Sequence, residues 1–198
     1  MVLGKDKHLP LILSVNDNDI VEWWVDASFA VHNDMKRRIG MNMSMGVVTL
    51  YAASTKQKIN TLSSTHAELV GVSDAMTKIL WCKLFLQGQG FVMDDVYVHQ
   101  DNESAILFEE NGMKSVGKAS RHIKIRYFFV TDNIRGKEMR VFHCPTGGII
   151  TDFFTKSLQG TPFMTHRDAI LGIQAKDFPK YVKAYEQYIS SPGNINTP

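Results

Sequence analysis

At 198 residues the chain has room for one compact domain with terminal additions and is short for two enzyme domains. An apolar share of 44% with 21% charged residues is ordinary globular composition and argues against disorder, and a net charge of +2 is too small to make the whole surface a trap for polyanions. Cys82 and Cys144 stand far apart and outside any zinc-ligand spacing, and no stretch approaches the roughly 20 apolar residues that span a bilayer, so the expectation is a soluble intracellular chain, or a piece of a larger one, without membrane contact.

Residues 1–20 are polar and punctuated by Gly4, Pro10 and an Asn/Asp run, and read as a linker. Residues 21–29 are aromatic and β-branched, a strand with Asp26 in its middle. After a polar loop over 32–38, residues 45–53 and 56–62 read as two more strands of an antiparallel meander. Apolar residues at Leu69, Val72, Met76, Ile79, Leu80, Leu84 and Phe85 predict a helix over 65–87, closed by Gly88. Residues 96–100 form a short strand that ends at Asp101-Asn102, and a helix follows over 103–110. Helical spacing returns over 121–134, then a last strand over 138–143, and helices over 149–158, 167–174 and 179–189 before a tail. The order of elements is that of an α/β domain with a mixed sheet.

Four carboxylates stand out, although three have simple structural explanations. Glu68 follows Thr65 by three, as in a capping box; Asp101 sits where a helix N-cap belongs; Asp152 falls near a helix start, where negative charge is favoured. Asp26 has the weakest structural excuse, because a carboxylate in an apolar strand is costly to bury unless paired or bound to a cation. If the strands of Asp26 and Asp101 are parallel neighbours, all four residues can meet at one sheet edge. Clustered carboxylates imply a hard divalent ion such as Mg²⁺ or Mn²⁺, and two such ions serve in-line phosphoryl displacement.

The blocks WWVDASFAVH, STKQKINTLSSTHAELVGV, QDNESAILFEENG, RHIKIRYFFVTD and CPTGGIITDFFTKSLQG resemble, in order, the RNase H domain of copia-type retrotransposon polyproteins, over residues 9–172. The resemblance implies an RNase H-like fold, a five-stranded mixed sheet flanked by helices with a C-terminal helical extension. It implies residues 1–20 as the remnant of an upstream reverse transcriptase, 21–160 as the RNase H domain, 161–189 as the extension and 190–198 as a tail. It places the family's catalytic, metal-binding set on Asp26, Glu68, Asp101 and Asp152, with Mg²⁺ (two ions, Mn²⁺ as alternative) as cofactor. The implied activity is hydrolysis of the RNA strand of RNA/DNA hybrids during reverse transcription, beside the reverse transcriptase domain of the same polyprotein. The implied setting is cytoplasmic virus-like particles, with the nucleus as alternative. The rival readings are a DNA nuclease of the same fold and a non-catalytic module that binds duplex or organises a polymerase.

The chain departs from the family at Ser28, where a second acidic residue is usual, at His66, where Glu is common, and at Ser157, where a proline is usual. The loop 144–148 lacks the histidine of the cellular branch, leaving His143 as a substitute or as an ordinary strand residue. For reading the 2′-hydroxyl of RNA, the candidates near the edge are Asn102, Gln57, Ser64 and Thr65. Between Lys114 and Arg126 the chain carries Lys118, Arg121 and Lys124 besides, with His122 and no acid, a candidate phosphate-contacting stretch in which Lys118, Arg121, His122 and Lys124 are nominated.

Overall fold

The computed structural model describes residues 9, 11–12, 21–28, 37–46, 48–61, 63–93, 96–111 and 121–173. The upstream linker for the most part, the loop over 32–36, Lys114, Lys118, the helix expected over 179–189 and the tail lie outside the described residues.

One five-stranded sheet organises the chain in the order β3-β2-β1-β4-β5. β1 (Val21–Ser28), β2 (Arg38–Ser44) and β3 (Thr49–Lys56) form the antiparallel meander; β4 (Val96–Gln100) and β5 (Arg140–His143) add to it in parallel. α1 (Ser64–Gly88), α2 (Glu103–Asn111) and α3 (Arg121–Arg135) pack together, and α1 lies on β1. α4 (Asp152–Thr155) contacts β1, β2 and β3, and α5 (Gly160–Ile170) follows it. The five-stranded mixed sheet flanked by helices is the fold that the resemblance implies.

The core is built on the α1 face of the sheet. Val21, Trp23, Val25, Ala27, Ile39 and Met41 from the strands meet Leu69, Val72, Ala75, Met76 and Ile79 of α1. Burying aliphatic side chains of this size stabilises by roughly 1.5–3 kcal/mol each, which makes this layer the main source of rigidity behind the carboxylates. Gly71 matters to the spacing: a Cβ there would stand 3.3 Å from Ala27 Cβ and 3.6 Å from Val25 Cγ1, so α1 approaches β1 closely at this turn. Trp23 is core, and Trp24, half-buried on the other face, stacks on His99 with ring centroids 5.0 Å apart.

The strand boundaries depart from the sequence expectation. The strand expected over 45–53 straddles the turn between β2 and β3, and 56–62 is strand only at Lys56. β2 was missed because it is buried along most of its length and so shows no alternation of apolar and polar residues, with Asn42 and Gly40 breaking up its pattern. The helix expected over 149–158 is much shorter: a 3-10 turn at Thr146–Gly148 and the single turn of α4. The helix expected over 167–174 ends at Ile170 and begins earlier, at Gly160, because Pro162 falls in the first turn, where its missing N–H is no loss. The last turns of α1 leave Trp81, Leu84 and Phe85 exposed, since a 25-residue helix of roughly 37 Å outruns strands of at most about 27 Å.

β2 and α4 meet at Gly40, where a Cβ would fall 2.8 Å from Thr155 Cγ2 and 2.9 Å from the Thr151 carbonyl. Gly40→Ala is therefore expected to destabilise the domain by about 1–3 kcal/mol in chemical denaturation, with α4 displaced from the sheet. An unchanged denaturation midpoint would show that α4 is not seated as described.

Candidate metal centre at the sheet edge

The β1–β4 ladder pairs Trp23 with Val98 and Trp24 with His99 in parallel, and two residues further along come Asp26, within β1, and Asp101, just past the end of β4. The two carboxylates leave the carboxyl ends of adjacent parallel strands, the position that the sequence requires for them to meet. Glu68 reaches the same point from α1, where the close approach at Gly71 brings it over β1. Its Oε2 accepts the Ala27 N–H at 3.0 Å, a backbone donor beyond the end of the β1–β4 ladder. Ligand oxygens of Asp26, Glu68 and Asp101 lie within 4.8 Å of one another.

Two capping assignments change with the structure, and both free a carboxylate. α1 is capped by Ser63, whose hydroxyl accepts the His66 N–H at 3.2 Å, so the capping box expected from Thr65 to Glu68 does not form. α2 is capped by Asn102, whose Oδ1 accepts the Ala105 N–H at 3.0 Å, so Asp101 is not the cap. Asp152 is the first residue of α4 rather than a few residues into a helix. It is outside the trio: its Oδ1 accepts from Lys156 Nζ at 2.5 Å, one turn later, and its charge still acts on Asp26.

The electrostatics are those of anions forced together in a poorly hydrated place. Asp26 and Glu68 are only 3% and 4% exposed. Burial, opposed in part by the Thr155 hydroxyl and the Lys156 charge, raises the Asp26 carboxyl, with Asp152 and Asp101 adding to the rise. Burial and then the Asp26 charge lift Glu68 well above its ordinary 4.5, against the stabilising Ala27 N–H. Burial tends to lower the Lys156 ammonium, but the hydrogen bond to Asp152 and the charges of Asp26, Asp152 and Asp101 outweigh it, and the net shift is upward. An all-oxygen anionic set of this kind fits Mg²⁺ or Mn²⁺ and offers nothing to a soft metal.

The remaining nominated residues are scattered around this centre. Ser64 is exposed and Thr65 half-buried at the start of α1; Asn102 is half-buried beside Asp101. Gln57 is turned inward, 6% exposed, with Nε2 donating to the Ala67 carbonyl at 3.3 Å, which ties β3 to α1 and removes Gln57 from the surface. Lys124 is half-buried on α3; Lys118 and the side chains of Arg121 and His122 lie outside the described residues. Arg126, from the same basic stretch, pairs with Asp74 of α1 and is structural. His143 is exposed at the end of β5, 3.8 Å from Glu103, and with Asp101, Asn102, Glu103 and Ser104 lines an open depression of about 440 Å³.

Sequence reasoning missed Thr155 and Lys156, three and four residues after Asp152. The Thr155 hydroxyl donates to Asp26 Oδ2, and i, i+3 and i, i+4 spacing on a helix was the available signal. It also missed Glu109, fully buried on α2, raised well above the ordinary value by burial against the opposing effect of the Gln100 side chain, and close enough for its charge to act on Glu68. Its position three and four residues from buried Ile106 and Ala105 marks the inward face of α2.

No family model matches the chain. The chain is 26% identical over 145 residues to the retrovirus-related Pol polyprotein from transposon TNT 1-94 of Nicotiana tabacum, covering 73% of this chain and 11% of that polyprotein. Among solved structures it is similar to LC11-RNase H1 isolated from compost, with a TM-score of 0.47, 19% identity and coverage of 69% of this chain and 93% of that one. It is also similar to a foamy viral protease-reverse transcriptase in complex with dsDNA, with a TM-score of 0.46, 14% identity and coverage of 68% and 90%. The strand order and flanking helices define an RNase H-like domain. The chain spans about a tenth of the length of the polyprotein that it matches.

The raised carboxylates give a pH dependence with a definite sign. In the metal-free protein Asp26 and Glu68 bind protons more tightly when folded than when unfolded, so their contribution favours folding at low pH and is lost as pH rises through their folded values. Metal-free thermal stability is expected to increase as pH is lowered through the raised folded value of Glu68, and Glu68→Gln is expected to flatten that slope. A wild-type slope identical to that of Glu68→Gln would contradict the description of Glu68.

Proposed function

We propose that this domain is a ribonuclease H that hydrolyses the RNA strand of RNA/DNA hybrids during retrotransposon reverse transcription, in company with a reverse transcriptase domain. The observation that carries the reading is the meeting of Asp26, Glu68 and Asp101 within 4.8 Å at the carboxyl edge of β1 and β4. The match to a Pol polyprotein, 11% of whose length this chain spans, supports the retroelement setting.

Asp26, Glu68 and Asp101 hold divalent metal, two Mg²⁺ ions with Mn²⁺ as substitute, and Asp152 completes the set from α4. Metal bound there supplies charge neutralisation at the scissile phosphate and an activated water. The Ala27 N–H fixes Glu68 and the Thr155 hydroxyl fixes Asp26, so the donors need little reorganisation when they bind. Asn102 is the first candidate for reading the 2′-hydroxyl: its Oδ1 caps α2, and its amide N–H groups are not used in that bond. Ser64 and Thr65, at the start of α1, flank the same edge. Lys124 and the basic stretch before it are proposed to hold the phosphate backbone.

Wild-type protein with Mg²⁺ is expected to cut a labelled RNA/DNA hybrid in the RNA strand, and Asp101→Asn to reduce the rate about a hundredfold or more. No cleavage by the wild type would favour the non-catalytic reading, and cleavage indifferent to Asp101→Asn would remove the carboxylate centre from the mechanism. Lys124→Ala is expected to weaken hybrid binding and to lower the salt slope of the affinity by about one unit, measured by titration at several ionic strengths.

A further inference from the structure

The acidic edge already contains a cation belonging to the chain. Lys156 Nζ lies 2.5 Å from Asp152 Oδ1, with side chains 32% and 9% exposed, so the pair is partly withdrawn from water. The ammonium is near enough to Asp26 and Asp101 for their charges to act on it, and near enough to Asp26 to lower the charge burden there. It thus touches one of the four carboxylates, Asp152, and feels the charge of two others. Its partner Asp152 is the carboxylate that does not join the trio.

Charge counting shows what this arrangement does to metal binding. Four carboxylates and one ammonium carry a formal net charge of about three negative units. A first divalent ion among Asp26, Glu68 and Asp101 leaves the set negative. A second, with the ammonium still in place, makes it positive and sets two cations side by side in a site of reduced dielectric. The remaining carboxylate of the proposed set, Asp152, is the one that Lys156 has engaged. Lys156 is the C-cap of α4 in extended backbone, φ −121° and ψ 150°, a conformation that Met also adopts.

Resting on the metal-centre reading above, we propose that Lys156 is a tethered counter-cation that holds Asp152 and competes with the second divalent ion, so the two ions bind unequally and the second enters as Lys156 releases Asp152. In this role Lys156 is a positioning residue. It also accounts for how the metal-free domain tolerates its own acidic edge.

Mn²⁺ titrated into the metal-free domain, with free ion counted by electron paramagnetic resonance, tests the proposal on wild type, Lys156→Met and Lys156→Arg. The wild type is expected to bind one ion more tightly than a second, Lys156→Met to tighten the second on the order of fivefold, and Lys156→Arg to follow the wild type. In melting experiments Lys156→Met is expected to lower the metal-free midpoint and to regain the wild-type value in saturating Mn²⁺. Superimposable titrations of wild type and Lys156→Met overturn the competition while leaving the metal centre standing. A melting deficit that persists in Mn²⁺ overturns it as well, since that marks a purely structural lysine. Failure of the wild type to bind any Mn²⁺ overturns the metal centre itself, and the role of Lys156 with it.

Discussion

The parallel pairing of β1 with β4 is the constraint on which the site depends. It sets Asp26 and Asp101 at corresponding points on neighbouring strands, at the edge where the ladder ends with Trp24 and His99. Anions so placed repel one another, and neither strand alone has reason to keep them there. The cost is met by the layer beneath: Val25 and Ala27 of β1 pack against α1, and the close approach at Gly71 lets the same helix deliver Glu68 to the Ala27 N–H. From the other side α4, seated against Gly40, supplies the Thr155 hydroxyl to Asp26 and the Asp152–Lys156 pair. The core supplies rigidity; the edge holds charge that the core would otherwise expel.

This arrangement explains why the carboxylates differ from one another. Glu68, nearly enclosed, is raised well above its ordinary range by burial and relies on one backbone donor. Asp26 is relieved by a hydroxyl and by a nearby ammonium. Asp152 is neutralised locally. A set with such unequal surroundings is expected to take up cations unequally, and the proposed role of the lysine one turn beyond Asp152 rests on that inequality. Glu109, fully buried on α2, adds its charge to those acting on Glu68.

Much of this was legible in the sequence, for identifiable reasons. Asp26 stood out because nothing local excuses a carboxylate in an apolar strand. The long helix was legible from its stripe, and the strand-to-helix junction at Asp101-Asn102 from its turn chemistry. Adjacent polar residues competing for one cap could not be resolved: Ser63 took the place expected of Thr65, and Asn102 that of Asp101. β2 was hidden because a strand buried along most of its length shows no alternation, and α4 because a single helical turn has too few residues for a period. Gln57 was placed near the substrate edge by the strand and helix reading, although its amide is used to tie the residue after β3 to α1. What remained out of reach was contact between distant segments, such as Thr155 with Asp26, which only the folded chain brings together.

Anomalous scattering from crystals of the domain soaked in Mn²⁺ tests the central claim most directly. The account predicts a manganese peak coordinated jointly by carboxylate oxygens of Asp26, Glu68 and Asp101. Manganese bound elsewhere with this trio empty, or a trio that stays empty at millimolar Mn²⁺, would contradict it.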